Sequence, residues 1–167
     1  KRGSVAIVGA AESDIGAVAA LMSPMDLMAQ GISRALEDSG LTLKDVDGVF
    51  CATTQARTSA MSLVEYLGLP DAYTDSTIVG GSSFEIHVAH AHAALEAGLC
   101  TVAVIAYGST QRPVGRRAAR ARDINPYEKQ FRPFPPSTAT AMAAHRHLPR
   151  FRPPRHHMPP DTLAPAH

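Results

Sequence analysis

The sequence has no tryptophan, only two cysteines, and aromatic residues at 5% of its 167 positions. Cys51 and Cys100 form no C-x-x-C pair. That argues against a disulfide scaffold and fits a reducing, cytoplasmic setting. No apolar run approaches the roughly 20 residues that span a bilayer, so no membrane span is expected. Charge of one sign is also scarce: 16 basic residues stand against 15 acidic ones, a net of +1. Nothing in that balance calls for a nucleic-acid or membrane partner. What remains is the length and the 45% hydrophobic content of one soluble α/β-sized domain.

Proline is distributed unevenly. Of 13 prolines, 11 lie at or after Pro113, where Arg112, Arg116, Arg117, Arg120 and Arg122 also cluster. Three regions follow: a patterned segment over 1–110, a basic loop region with one expected helix (Ser137 to His147) over 111–147, and a Pro/Arg/His-rich irregular tail over 148–167. The tail has almost no apolar residues and is expected to be disordered, because it cannot bury a core. It is so unlike the rest that a coding frame interrupted near Leu148 is one explanation. Comparing the nucleotide sequence in all three frames tests this, and finding no continuing open frame would sink it.

The patterned segment alternates strand and helix signals. Val5-Ala6-Ile7-Val8-Gly9 reads as a strand buried on both faces. Ser23-Pro24 is a helix start, with Ser as cap and Pro at the first helical position. Leu27, Met28, Ile32, Ala35 and Leu36 then form one apolar face, and Gly40 ends the helix. Val46 to Thr53 predicts a second strand, Met61 to Leu67 a short helix, Tyr73 to Val79 a third strand, Ser83 to Ala97 a strong helix, and Thr101 to Ala106 a fourth strand. The order β-α-β-α-β-α-β implies a mostly parallel sheet with right-handed crossovers and helices on both faces.

Few residues suggest chemistry by themselves. Ser82-Ser83-Phe84-Glu85 fits the S-x-x-E capping box. Gly80 to Ser83 therefore reads as a glycine turn and a helix cap, or as a loop whose N–H groups face an anion. His87, His90 and His92 share a helix but not a face, so three metal ligands cannot converge from it, and no metal site is expected. Gly9 and Gly16 lack the intervening glycines of G-x-G-x-x-G, leaving a small Rossmann-like nucleotide binder as a minor alternative.

The phrase Thr77-Ile78-Val79-Gly80-Gly81-Ser82-Ser83-Phe84, followed by an Ala/His-rich helix and Glu96-Ala97-Gly98, resembles thiolases. It is most similar to the sterol-carrier-type thiolases and the bacterial acetyl-CoA acetyltransferases. Val5 to Gly9, Ala35 to Leu41, Asp45 to Val49 and Tyr107 to Arg112 extend the resemblance over about two-thirds of the chain, corresponding to the N-terminal half of that fold. The resemblance implies an acyltransferase acting on a coenzyme A thioester, with no resident cofactor. It implies a homodimer or a partner protein, because the two halves of the fold bury a face of each other. It places the nucleophilic cysteine at Gly81, beside Ser82. Glycine cannot attack a thioester, and serine needs an activating base. Ser82 is thus a weak catalytic candidate, and Gly80, Gly81, Ser82, Ser83 and Arg112 are candidates for contact with the acyl-CoA. The chain is expected to be inactive alone as an acyltransferase. The alternative is a non-catalytic acyl-CoA- or lipid-binding protein or partner subunit.

Overall fold

The structure, a computed structural model, describes residues 3–16, 18, 22–110, 127 and 137–151. Two units are distinguished, Lys1–Arg120 and Ala121–His167, and each is described by itself. In the second unit the described element is a helix, Ser137–Phe151, which runs four residues past the predicted end at His147 and contains Pro149. Arg112, the rest of the arginine cluster and residues 152–167 lie outside the described residues. Among the described residues, no helix is long and apolar enough to cross a membrane.

In the first unit, helix α1 spans Pro24–Ser39. Ser23 has the extended backbone of an N-cap. Its hydroxyl accepts from the Asp26 amide, while the Asp26 carboxylate accepts from the Ser23 amide at 2.8 Å. These two bonds satisfy donors that a helix start otherwise leaves unpaired. Gly40, at φ +72°, ends the helix in the left-handed conformation that favours glycine. Strand β1 is Gly48–Cys51, helix α2 is Ser59–Leu67, strand β2 is Tyr73–Asp75, helix α3 is Ser83–Glu96 and strand β3 is Ala103–Ala106.

The sheet has the order β2-β1-β3, with both pairs parallel. Side chains alternate across a strand, so β1 feeds two cores. Val49 and Cys51 join Met28, Ile32 and Leu36 of α1 and Ala60, Leu63 and Val64 of α2. Phe50 points the other way, to Ala91 and Ala94 of α3 and to Cys100. Helices therefore cover both faces of a parallel sheet, as the alternating pattern implies.

The predicted first strand is not formed. Val5 to Gly9 belongs to no strand, and Ile7 and Val8 are 81% and 62% exposed. The segment is held instead at its two ends. A Cβ on Gly9 would collide with the Ala35 carbonyl of α1, the Ala10 amide donates to Asp38 at 3.0 Å, and Arg34 donates to the Glu12 carbonyl at 2.9 Å. Ser4 donates to Glu96 of α3 at 2.6 Å. A strand exists only where a neighbour supplies ladder partners, and no described strand lies alongside this segment. The residues have strand propensity, but neither the pairing nor the burial expected of a central strand is present.

β2 also stops earlier than predicted. The Asp75 carboxylate accepts from both the amide and the hydroxyl of Thr77, each at 2.7 Å, and this Asx-type turn competes with the ladder.

Phe50 is fully buried at the centre of the sheet. Phe50→Ala is expected to cost about 3–5 kcal/mol of unfolding free energy. Denaturant titration followed by far-UV circular dichroism checks this, with loss of less than about 1 kcal/mol excluding a central role.

Candidate functional site

In a parallel sheet, ligands bind beyond the carboxyl ends of the strands, where the connections diverge to opposite faces. Here β1 leads to α2 on one face and β2 leads to α3 on the other. The loops after β1 and β3 are tied together there. Gln55 donates its side-chain amide to the Thr110 hydroxyl and accepts from the Thr110 amide N–H, each at 2.9 Å. The first turn of α3 meets the exit of β3, where the Phe84 and Tyr107 rings lie 5.0 Å apart. The Gln55–Thr110 pairing spans 55 residues and has no local sequence signal.

A turn of 3₁₀ helix over Gly80–Ser82 leads into α3. Gly80 has φ +86°, a conformation that selects glycine. The predicted capping box between Ser82 and Glu85 does not form. Ser82 already has φ −83° and ψ 8° and makes no cap bond, whereas a capping serine needs the extended backbone seen at Ser23. Ser83 takes the structural role. It is buried, donates to the Gly80 carbonyl at 2.7 Å and accepts from the Val79 amide at 3.0 Å. Ser82 and Gly81 are left exposed at the tip, and a Cβ on Gly81 would meet nothing within 4 Å.

The three histidines of α3 diverge. His87 is fully buried, edge-on to Phe84 at 5.9 Å, and its Nε2 lies 3.0 Å from the Thr77 carbonyl. Its Nδ1 has no partner among the described residues. His87 therefore anchors the turn to the helix rather than serving Ser82. His90 is exposed and pairs with Asp75 at 2.5 Å. Burial pushes the Asp75 carboxyl up, but the bonds from Thr77 and His90 outweigh it and leave it below the ordinary carboxylate range. His92 lies 3.5 Å from the Ser4 hydroxyl. Among the described residues, no three His, Cys, Asp or Glu side chains could hold a metal ion.

Neither cysteine is a ready nucleophile. Cys51 is fully buried, and burial pushes its thiol up to about 11 against a weaker downward pull from the Ser59 hydroxyl. Burial, then the Asp47 charge, raises Cys100 as well. The attacking species is the thiolate, so the site offers an exposed helix N-terminus and small residues, but no sulfur. Such a terminus can receive an anion or a polarised carbonyl oxygen.

No protein-family profile matches the sequence, and no curated protein matches it. Solved structures do. The Ltp2-ChsH2(DUF35) aldolase matches over 89% of this chain and 40% of its own, at 23% identity and a TM-score of 0.61. The 3-oxoacyl-[acyl-carrier-protein] synthase III from Aquifex aeolicus VF5 matches over 53% of this chain and 30% of its own, at 18% identity and a TM-score of 0.47. The corresponding synthase III from Thermus thermophilus matches over 52% of this chain and 28% of its own, at 27% identity and a TM-score of 0.45. The fold is thiolase-like, and this chain spans less than half the length of each of these proteins.

Because its thiol is raised in the folded state, Cys51 favours folding below the unfolded thiol value, 9.0, and that contribution is lost as pH rises towards about 11. At pH 8 neither cysteine should react with iodoacetamide until denaturant is added. Rapid alkylation of the native chain, read by mass spectrometry, would show an accessible thiolate instead.

Proposed function

We propose that this chain is an acyl-CoA-handling half of a thiolase-like acyltransferase, of the sterol-carrier-type or acetyl-CoA acetyltransferase branch, that performs no acyl transfer alone. The observation that carries this reading is the Gly80–Ser83 turn. It opens α3 at the carboxyl edge of the sheet, where the sequence resemblance puts the catalytic cysteine, and it is exposed, glycine-lined and without sulfur. Gly80 and Gly81 let the thioester approach the backbone, Ser82 offers a hydroxyl at the tip, and Ser83 holds the turn. Arg112 suits the phosphates of coenzyme A, as arginine's planar fork matches phosphate oxygens. The coenzyme A thioester is substrate or ligand, and the chain needs no resident cofactor.

Acyl transfer through an acyl-enzyme needs a nucleophile and a base. Ser82 has no activating base within hydrogen-bond reach among the described residues, because His87 and His90 are engaged elsewhere. Binding without turnover is therefore the expected behaviour of the isolated chain. A second reading, a non-catalytic partner subunit, draws support from α3. Val88 is 47% exposed on α3 and lines one apolar groove with Ile7 and with Ile105 of β3.

Two experiments test these readings. Incubation with decanoyl-CoA is expected to show saturable binding and no covalent adduct by intact mass; acylation at Ser82 or Cys51 would make the chain an enzyme as it stands. Gly81→Cys, which the open space at Gly81 admits, is expected to place a thiol with a pKa below the usual value of about 8.5 at the α3 N-terminus. The pH dependence of iodoacetamide alkylation reads that value, and an ordinary or raised thiol would remove the electrostatic basis of the site.

The same readings predict self-association or a partner. Sedimentation of the purified chain should show species larger than a monomer, and a clean monomer with a cooperative melt would count against them.

A further inference from the structure

His87 is the buried titratable side chain of α3, and its two ring nitrogens are unequally served. Nε2 lies 3.0 Å from the Thr77 carbonyl oxygen. A carbonyl only accepts, so Nε2 carries the proton of the neutral ring and Nδ1 is a lone pair. Nδ1 is shut off from water and has no partner among the described residues. A bare lone pair is a modest defect in a protein interior. A bare N–H on a cation is a severe one.

Acid asks this ring to become an imidazolium. Its Nε2–H would then bond the Thr77 carbonyl more strongly. Against that, Nδ1 would gain an N–H with no acceptor, between the rings of Phe50 and Phe84, whose centroids lie 6.4 and 5.9 Å away. A charge moved from water into such a setting loses more than one improved bond returns. The start of α3 adds to the penalty, because its aligned N–H groups disfavour a cation. The groups around the ring are already committed or uncharged. The Asp75 carboxylate of β2 accepts from Thr77 and pairs with His90. Glu85 and His90 of α3 are exposed. Cys51 of β1 lies in the other core, and the Cys100 thiol beside Phe50 is raised by burial. Tyr73 of β2 packs on Phe50 and Tyr107 past β3 packs on Phe84; phenols offer no negative charge in the acid range.

The turn can yield more easily than the helix. Ile78 to Ser82 are exposed, whereas α3 is held in the core by Ala91 and Ala94. Opening the turn brings water to Nδ1 at the smallest loss of packing. We propose that His87 is an acid-sensitive catch on the Thr77–Ser83 turn, whose protonation opens the turn and loosens the start of α3. The Asp75–His90 pair works with the opposite sign. It is an ion pair only when His90 is protonated, and Asp75 is held below the ordinary carboxylate range, so mild acid favours it. The consequence for acyl-CoA rests on the reading of Gly80–Ser83 as its site: acid would withdraw that site while the sheet stays folded.

The test is amide hydrogen exchange of the full chain without coenzyme A, read by NMR at Val79, which donates to the Ser83 hydroxyl, and at Ser83, which donates to the Gly80 carbonyl. One proton taken up on opening shifts the opening equilibrium about tenfold per pH unit below about 6.5, where a histidine in the open turn is protonated. After correction for the pH dependence of chemical exchange, protection at both amides should fall about tenfold between about pH 6 and pH 5. The Gly48 amide, bonded to the Val102 carbonyl, should keep its protection. His87→Gln retains a side-chain N–H donor and takes up no proton, so it should abolish the fall; His90→Gln should preserve it. If His87→Gln does not fold, the His87 ring signal of the unaltered chain decides, because it must shift over the pH range in which protection is lost. Protection indifferent to acid, an equal fall in His87→Gln, or a ring that titrates while both amides stay protected overturns the proposal. So does an equal fall at Gly48, which would mean that the whole unit unfolds. Decanoyl-CoA binding is measured separately at about pH 7.5, where the ring is neutral; its failure would sink the thioester reading and leave the catch standing.

Discussion

The start of all three described strands is set by one residue, Asp47. Its carboxylate accepts from the Thr101 amide at 2.8 and 2.9 Å, the Thr101 hydroxyl at 2.8 Å and the Val102 amide at 2.8 Å. Its own amide donates to the Val102 carbonyl, and its carbonyl accepts from the Tyr73 amide at 2.8 Å. Burial raises the carboxyl, but the bonds from Val102 and Thr101 more than offset this and hold it below the ordinary range. Charge-assisted bonds to backbone amides are the strong kind. They hold the start of β3 beside β1, and the Asp47 carbonyl holds the start of β2. The loops that leave the carboxyl ends of β1 and β3 meet where Gln55 bonds to Thr110.

The same clamp forces close packing behind it. Gly48 sits so near Cys100 that a Cβ there would lie 2.9 Å from Sγ. Glycine at that point is a requirement of strand spacing. Cys100 is buried by the approach, and burial together with the Asp47 charge raises its thiol.

What the sequence revealed was whatever is determined locally. Ser23-Pro24 and Gly40 bound α1 because caps act over three or four residues. The alternation of elements gave a parallel sheet with helices on both faces because a crossover connection allows little else. What it did not reveal depended on distant partners or on backbone angles. Val5 to Gly9 has the composition of a buried strand, but pairing needs a neighbour that composition cannot supply. Ser82 matches the capping pattern letter for letter. Yet the preceding Gly80 turn rotates its backbone out of the cap conformation and passes the role to Ser83. His87, His90 and His92 look alike in sequence, and only the fold separates a buried anchor from two surface residues. Arg112 lies outside the described residues, so its part in the site rests on sequence alone.

These observations share a cause. Ile7, Val8, Val88, Ile105 and Tyr107 are all apolar or aromatic, all more than a third exposed, and all line one groove. Scattered exposed apolar side chains need no explanation, but a contiguous set does. Among the described residues that set combines an edge strand, a segment that belongs to no strand and one side of α3. The segment also retains strand-forming residues at Val5, Ile7 and Val8, which an unpaired loop has no use for. Its local preferences ask for a neighbour, and among the described residues β3 is an unpaired edge of the sheet on the same groove.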